Sequence, residues 1–451
     1  MTTPALDIRF LSASDPDFGE RLARALDRQM LVGEAVTAAV REILAAVRER
    51  GDAAVLEYAR RFDSVEAAGM GELRFGREQM EQALARLARA GADALRHAAG
   101  RIRRYHEAQK RQQSSWQYTE EDGSVYGQKV GALERVGIYV PGGKASYPSS
   151  VLMLAIPASV AGVREIIATV PLGKFGQPGD PGDLDKGAAS SDMVLAAAAL
   201  AGVDSLYAIG GAQAIAAMAY GTESVPRVDK IAGPGNIYVT VAKKLVFGEV
   251  GIDMIAGPTE LTVICDGGTD PDWIAMDLFS QAEHDEQAQS ILIATDAAYL
   301  EAVAESMRRQ LPAMERRGII AQSINNRALF ILAGDLAEAA AISNRIAPEH
   351  LELSVEDPKA LLEQIEHAGA IFLGRHSAEA LGDYCAGPSH VLPTSGTARF
   401  SSALGVPDFQ KRSSIIHCSP QGAAALAPTA AELGRNENLQ AHAKSTEYRL
   451  G

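Results

Sequence analysis

Little cysteine, a deficit of positive charge and no long apolar run are the first limits on what this chain can be. Its 451 residues hold three cysteines, Cys265, Cys385 and Cys418, with no CxxC pair. That excludes a disulfide framework and a thiolate zinc site. Lys and Arg number 43 against 57 Asp and Glu, a formal net charge of −14. An acidic surface argues against a general nucleic-acid binder. The basic block Arg101–Arg111 reads as a solvated helix face. No basic segment followed by an apolar run opens the chain, so no signal peptide is visible. Met193–Ala201 is apolar but far short of a membrane span. The expectation is a cytoplasmic, enzyme-sized protein with neither a nucleic-acid nor a membrane partner. What is present is globular composition, 47% hydrophobic with 42 glycines, in a chain long enough for two or more cores.

Residues 15–113 read as helical, with Val36–Arg50, Arg77–Leu87 and Ala90–Gln112 the clearest segments. From about residue 132 the period changes. Strand-like runs at 136–140, 163–170 and 204–209 alternate with helix-like runs at 149–160, 191–201, 212–220 and 236–247. Residues 172–190 are rich in Gly, Pro and Asp and read as a surface insertion. A second alternation begins near Glu260. Its strands are expected at 260–265, 288–294, 328–333, 351–355 and 369–373, and its helices at 271–284, 296–309, 334–345 and 358–367. Such βα alternation predicts mostly parallel sheets with helical crossovers. Beyond about 400 the pattern weakens, and 425–451 reads as a helical tail.

A Rossmann GxGxxG fingerprint is also missing. In its place stand Tyr139-Val-Pro-Gly-Gly-Lys144, Ile209-Gly-Gly-Ala-Gln213 and Ala232-Gly-Pro-Gly-Asn236. Each is a tight turn between a strand-like and a helix-like segment. Each can cradle phosphate on backbone N–H groups or serve packing alone. Gln281 and His284 are three apart at a predicted helix end and share a face. With a carboxylate such as Asp383 they can hold zinc or manganese, or simply face water. Glu349-His350 sits at a loop-to-strand junction, where an imidazole can take a proton and the neighbouring carboxylate can activate water. The rigid turn Ala386–Pro393 presents His390. His97, His106, His367, His376 and His417 have no evident partners and read as structural.

Seven segments in order resemble the histidinol dehydrogenase family: Val140-Pro-Gly-Gly143, Ala232–Asn236, Gly257-Pro-Thr-Glu260, Ser280–Asp285, Asn344–His350, Asp383–His390 and Glu437–His442. The likeness runs from about residue 15 to 445. It implies an α/β fold with two incomplete Rossmann-like domains, mostly parallel sheets and small helical terminal domains. The implied partition is an N-terminal helical segment 1–31, a zinc-bearing domain from 32–134 with 259–400, an NAD-side domain 135–258 and a small C-terminal domain 401–451.

The resemblance also implies a reaction: zinc-dependent four-electron oxidation of L-histidinol to L-histidine through L-histidinal with two NAD, the last step of histidine biosynthesis. It implies a homodimer with shared active sites and one zinc per subunit. The implied zinc ligands are Gln281, His284, Asp383 and His442, the last from the other subunit. The implied acid–base pair is Glu349 and His350. The implied substrate contacts are Thr259, Gln281, His284, His350, Asp383, His390, Glu437 and His442, and the NAD contacts Tyr139, Gln213 and Asn236. Thr259 stands where the family usually has serine, and it keeps the hydroxyl. Three rival readings remain: the same architecture acting on a sulfonated or other small diol, a zinc hydrolase without nucleotide, and a non-catalytic binder.

Overall fold

Glu260–Cys265 and Gln289–Ala294 are buried along their whole length, as strands are when helices cover both faces of a parallel sheet. The computed structural model describes residues 5–26, 33–63, 65–142, 147–172 and 184–449. Among these residues the strands are β1 (Arg9–Ser12), β2 (Arg74–Gly76), β3 (Trp116–Thr119), β4 (Val125–Ala132), β5 (Arg135–Tyr139), β6 (Glu165–Thr169), β7 (Ser205–Tyr207), β8 (Lys230–Ala232), β9 (Gly251–Ile252), β10 (Glu260–Cys265), β11 (Gln289–Ala294), β12 (Leu329–Leu332), β13 (His350–Ser354), β14 (Ala370–Leu373) and β15 (Gln410–His417).

The first sheet has the order β1-β12-β11-β10-β13-β14 and is parallel throughout. The second has the order β2-β7-β6-β5-β8-β9, with only β2 antiparallel. A small antiparallel sheet, β15-β4-β3, stands apart. The expected pair of mostly parallel, Rossmann-like sheets is present.

The assignment of chain to sheet differs from the sequence reading. Residues 32–134 were grouped with 259–400, yet their strand β2 pairs with β7. Leu44, Val47 and Tyr58 share one core with Ile138 and Leu154 of the second sheet's unit. The described part of the 1–31 segment is not purely helical either, because β1 closes an edge of the first sheet. The C-terminal unit borrows β3 and β4, an early hairpin that β15 joins. Local periodicity reports what an element is, not which distant element it will meet.

Two boundaries shift for identifiable reasons. The helix expected over 358–367 stops at Leu362, because Asn344 Oδ1 accepts the N–H groups of Glu366 and His367 at 2.8 and 3.3 Å. The helix expected over 271–284 is Pro271–Ala282, with Asp270 capping its first turn. Most of the 172–190 insertion lies outside the described residues, as do Gly143 and Lys144. Its end, 184–190, is the start of the helix Leu184–Ala201 rather than loop. No described helix is long and apolar enough to cross a membrane.

The end of β8 is held by a buried ion pair. Lys243 bonds Asp253, and their side chains are 2% and 0% exposed. Lys243 Nζ also donates to the Gly233 carbonyl at 2.8 Å, while Gly233 N–H donates to Asp253 Oδ2 at 2.7 Å. Gly233 has φ +124°, and a Cβ there would stand 2.0 Å from the Tyr139 carbonyl oxygen. Asp253→Ala would leave a buried ammonium unpaired and is expected to cost about 3–5 kcal/mol in denaturant unfolding. A loss below about 1 kcal/mol, the value of an exposed pair, would contradict that account.

Candidate active site

β10 and β13 are neighbours, with Leu261 opposite His350. Their amino-terminal ends therefore bring Thr259, Glu260, Glu349 and His350 together. Glu349 Oε2 accepts from the Thr259 hydroxyl and from Glu260 N–H, both at 2.8 Å. The Thr259 hydroxyl in turn accepts from Gln281 Nε2 at 2.6 Å. Thr259 thus uses both its donor and an acceptor, which a serine at this position could also do. His350 Nδ1 donates to the Glu260 carbonyl at 2.9 Å. That bond fixes the ring and turns Nε2 toward Asp383 at 3.7 Å and Glu379 at 3.8 Å.

Glu379 and Asp383 lie four apart on the short helix Glu379–Tyr384. Asp383 Oδ2 stands 4.0 Å from His284 Nε2, and its backbone carbonyl accepts from His390 Nδ1 at 3.0 Å. His390 Nε2 reaches the Ser150 hydroxyl at 3.2 Å. Ser150 belongs to the helix Pro148–Ala161 of the second sheet's unit. His390 thus spans the seam between the two units.

Burial shapes the ionisation here. It pushes the Glu349 carboxyl up to about 8, against the opposing charge of His350. The same burial works to lower His350, but Glu349, Glu379 and Asp383 outweigh it and hold the imidazole well above its ordinary value. Burial would raise Asp383, yet the surrounding imidazoles keep it below the usual carboxylate range. His284 and His390 are lowered, chiefly by burial.

A divalent cation fits these residues. Ligand atoms of His284, Glu379 and Asp383 all lie within 4.8 Å of one another. Gln281 is fully buried, and its Oε1 has no partner. Imidazole nitrogen with carboxylate and amide oxygen is a donor set suited to zinc. Gln281 sits in the last turn of its helix and His284 just beyond it.

Tyr139, Gln213 and Asn236 gather at the carboxyl edge of the second sheet, after β5, β7 and β8. Strands are added to one side of β5 as β6 and β7 and to the other as β8 and β9, and the switch point between β5 and β8 is where open α/β sheets place ligands. Tyr139 OH accepts from Gly211 N–H at 3.2 Å. Gln213 Nε2 and Gly210 N–H both donate to Asp63 Oδ2 at 3.1 Å. Asn236 Oδ1 caps the helix Ile237–Val246. A cavity of about 500 Å³ runs from Asn236 past Gly257 to Glu260 and Gln289. It joins the carboxyl edge of the second sheet to the amino edge of the first.

The corresponding carboxyl-edge crevice of the first sheet, between β10 and β13, is tied across by Arg375. Its guanidinium bonds Asp266 at 2.9 and 3.0 Å, Thr269 Oγ1 at 2.8 Å and the Ser354 carbonyl at 3.2 Å.

Glu437 and His442 are not in this cluster. Glu437 ends the helix Pro420–Asn436, and His442 rides on Gln440–Glu447, which packs against it. Both are exposed, as are Leu426, Leu433 and Leu439 on the same unit. Sequence reasoning missed Glu379, Ser150 and Asp63. The spacing of Glu379 and Asp383, two acids one helical turn apart, is the signal that could have exposed the first.

A family model described as histidinol dehydrogenase matches residues 26–450. The chain is 61% identical to histidinol dehydrogenase of Pseudomonas aeruginosa over 450 residues, covering 100% of this chain and 99% of that one. It is 58% identical to the enzyme of the same name from Cupriavidus pinatubonensis over 447 residues, covering 99% and 98%. The crystal structure of histidinol dehydrogenase from Elizabethkingia anophelis superposes with a TM-score of 0.90 at 31% identity, covering 99% of each chain. With this fold and this cluster of side chains, the chain belongs to the histidinol dehydrogenase family of oxidoreductases.

Proposed function

We propose that this protein oxidises L-histidinol to L-histidine through bound L-histidinal, consuming two NAD, as the last step of histidine biosynthesis. The observation that carries the reading is the single network Gln281–Thr259–Glu349, with His350 Nε2 turned toward Asp383. Gln281, His284 and Asp383, with His442 of the partner subunit, hold zinc, whose contribution when bound is to orient the substrate's amino and imidazole nitrogens. Tyr139, Gln213 and Asn236 hold NAD, the hydride acceptor. The active unit is a homodimer.

His350 Nε2 takes the alcohol O–H proton as hydride leaves the carbon bearing that oxygen for NAD, giving the aldehyde. Glu349 then takes a proton from water, whose oxygen adds to that aldehyde, while His350 returns its proton to the former carbonyl oxygen and is free to act again. His350 takes the second hydroxyl proton as the second hydride leaves, giving the carboxylic acid. Thr259 and Glu260 N–H hold the Glu349 carboxylate in place between these events. His390 contacts the substrate from the seam between the two units, and Glu437 of the partner subunit favours a cationic substrate over an anionic one.

Two NADH per histidinol, lost on chelation and restored by zinc, is the expected stoichiometry. Oxidation of dihydroxypropanesulfonate but not of histidinol would replace this substrate with an anionic diol. Turnover without NAD would remove the dehydrogenase reading.

Two outcomes separate the roles of the acid–base pair. Glu349→Gln should slow histidinal oxidation by about 10²-fold or more while leaving the histidinol half much less affected. Equal losses in both halves would end that division. The second outcome concerns pH. A group raised to about 8 is mostly protonated at neutral pH and becomes a base above that value. Histidinal oxidation should therefore rise with pH through about 8, and Glu349→Gln should lose the part of the rise that Glu349 carries, leaving that of His350. A flat profile between pH 6 and 9 in the parent enzyme would assign water activation elsewhere.

A further inference from the structure

Asp63 follows the helix Asp52–Phe62 and takes no part in the proposed reaction, yet two donors from far along the chain converge on it. Its Oδ2 accepts from Gly210 N–H and from Gln213 Nε2, both at 3.1 Å. An oxygen that already holds a backbone N–H is an acceptor, so the Gln213 amide must turn its NH2 toward it. Gln213 Oε1 is left on the other side. Gln213 is fully buried, and its Oε1 has no hydrogen-bond partner among the described residues. A buried amide oxygen left unpaired is costly, and a ligand donor would satisfy it.

Tyr139 offers the complement. Its hydroxyl accepts from Gly211 N–H at 3.2 Å. Burial pushes the phenol up to about 12, so it keeps its proton and can donate. The two groups meet at Gly211. Its φ is +63°, and a Cβ there would stand 2.6 Å from Gln213 Oε1. Gly210 is confined as well, since a Cβ on it would meet Pro171 Cβ at 2.5 Å and Asp63 Oδ1 at 3.1 Å. This turn at the carboxyl edge of the second sheet therefore presents one donor and one acceptor close together.

We propose that Asp63 is a positioning residue for NAD: it locks the Gln213 amide so that Oε1 accepts from one uncharged group of the coenzyme while the Tyr139 hydroxyl donates to it. The inference rests on the reading that Tyr139 and Gln213 hold NAD. A primary amide and a hydroxyl each donate and accept, so the group is the nicotinamide carboxamide or a ribose hydroxyl. Without Asp63 the Gln213 amide can present either end, and the match is lost.

Calorimetric titration of the zinc-loaded enzyme with NAD, alongside steady-state rates, tests this. Asp63→Leu keeps a branched shape without acceptor oxygens, and Asp63→Asn keeps one acceptor. Asp63→Leu should bind NAD about tenfold more weakly or worse and raise KM for NAD, with kcat at saturating NAD and KM for histidinol held. Asp63→Asn should recover most of the affinity. Two kinds of analogue locate the group: acetylpyridine adenine dinucleotide lacks the amide N–H, and dinucleotides deoxygenated at a ribose lack a hydroxyl. The parent should bind one kind more weakly than NAD, and Asp63→Leu should discriminate less. Parent-like NAD binding in Asp63→Leu, no recovery in Asp63→Asn, or no analogue discrimination that Asp63→Leu reduces overturns the proposal while leaving the coenzyme site standing. If Gln213→Ala and Tyr139→Phe also bind NAD like the parent, the coenzyme site itself is misassigned and the proposal falls with it.

Discussion

His350→Ala is expected to lower turnover by about 10²- to 10⁴-fold with histidinol and with histidinal alike, the range for loss of a positioned acid–base group. The geometry leaves little room for a substitute. His350 Nδ1 is committed to the Glu260 carbonyl at 2.9 Å, so proton transfer belongs to Nε2. That atom is buried and makes no hydrogen bond among the described residues. The other imidazoles of the site are occupied differently: His390 spans from Asp383 to Ser150, and His284 belongs to the cation cluster. Water entering the truncated site is a poor base at neutral pH. Stopped-flow rates for each half-reaction, with zinc content and melting temperature as controls for folding, measure the effect. A defect confined to one half would assign the other proton to a different group.

The second large effect tests the proposed sharing of active sites between the subunits of a homodimer. Asp383→Ala and His442→Ala should each be nearly inactive. After unfolding and refolding together, their mixture should recover about a quarter of parental activity, because random pairing makes half the dimers mixed and each mixed dimer has one intact site. The arithmetic follows from where the residues lie. Asp383 is in the cluster around His350, whereas His442 is exposed on Gln440–Glu447 and absent from the cation group. If both residues served a site within one chain, every mixed dimer would carry one defect per site and no activity would return. Titrating the ratio of the two variants should give a bell-shaped recovery with its maximum at equal amounts.

Much of this site was legible because its residues occur in short, chemically dense runs. Glu349 and His350 are adjacent, and Gln281 and His284 lie one turn apart, so each pair shows itself without knowledge of the fold. The strands β10 and β11 were equally plain, since a fully buried parallel strand is a continuous apolar run. Glu379 was not legible in the same way. Its place in the cluster depends on a short helix bringing it to His350, and only its one-turn spacing from Asp383 hints at that. Asp63 is further still, since it reaches Gln213 across 150 positions. The strand β15, with the sequence QKRSSIIH, has no clean alternation, because it is paired on one side only and largely exposed. The early break of the helix at Leu362 depends on Asn344, a side chain 22 residues from the amide it captures. Partner choice across such distances is a property of the packed molecule, and it accounts for the misplacement of residues 32–134.

Arg375 has a wider consequence. By filling the gap between β10 and β13 it denies the first sheet the docking place that its strand order would otherwise offer a dinucleotide. The two sheets are therefore not interchangeable halves. In one, side chains close the carboxyl rim and the proposed chemistry lies at the opposite rim; in the other, the carboxyl rim borders the cavity. An Arg375→Ala enzyme would not gain a second coenzyme pocket so much as lose the brace that keeps the reactive rim in register.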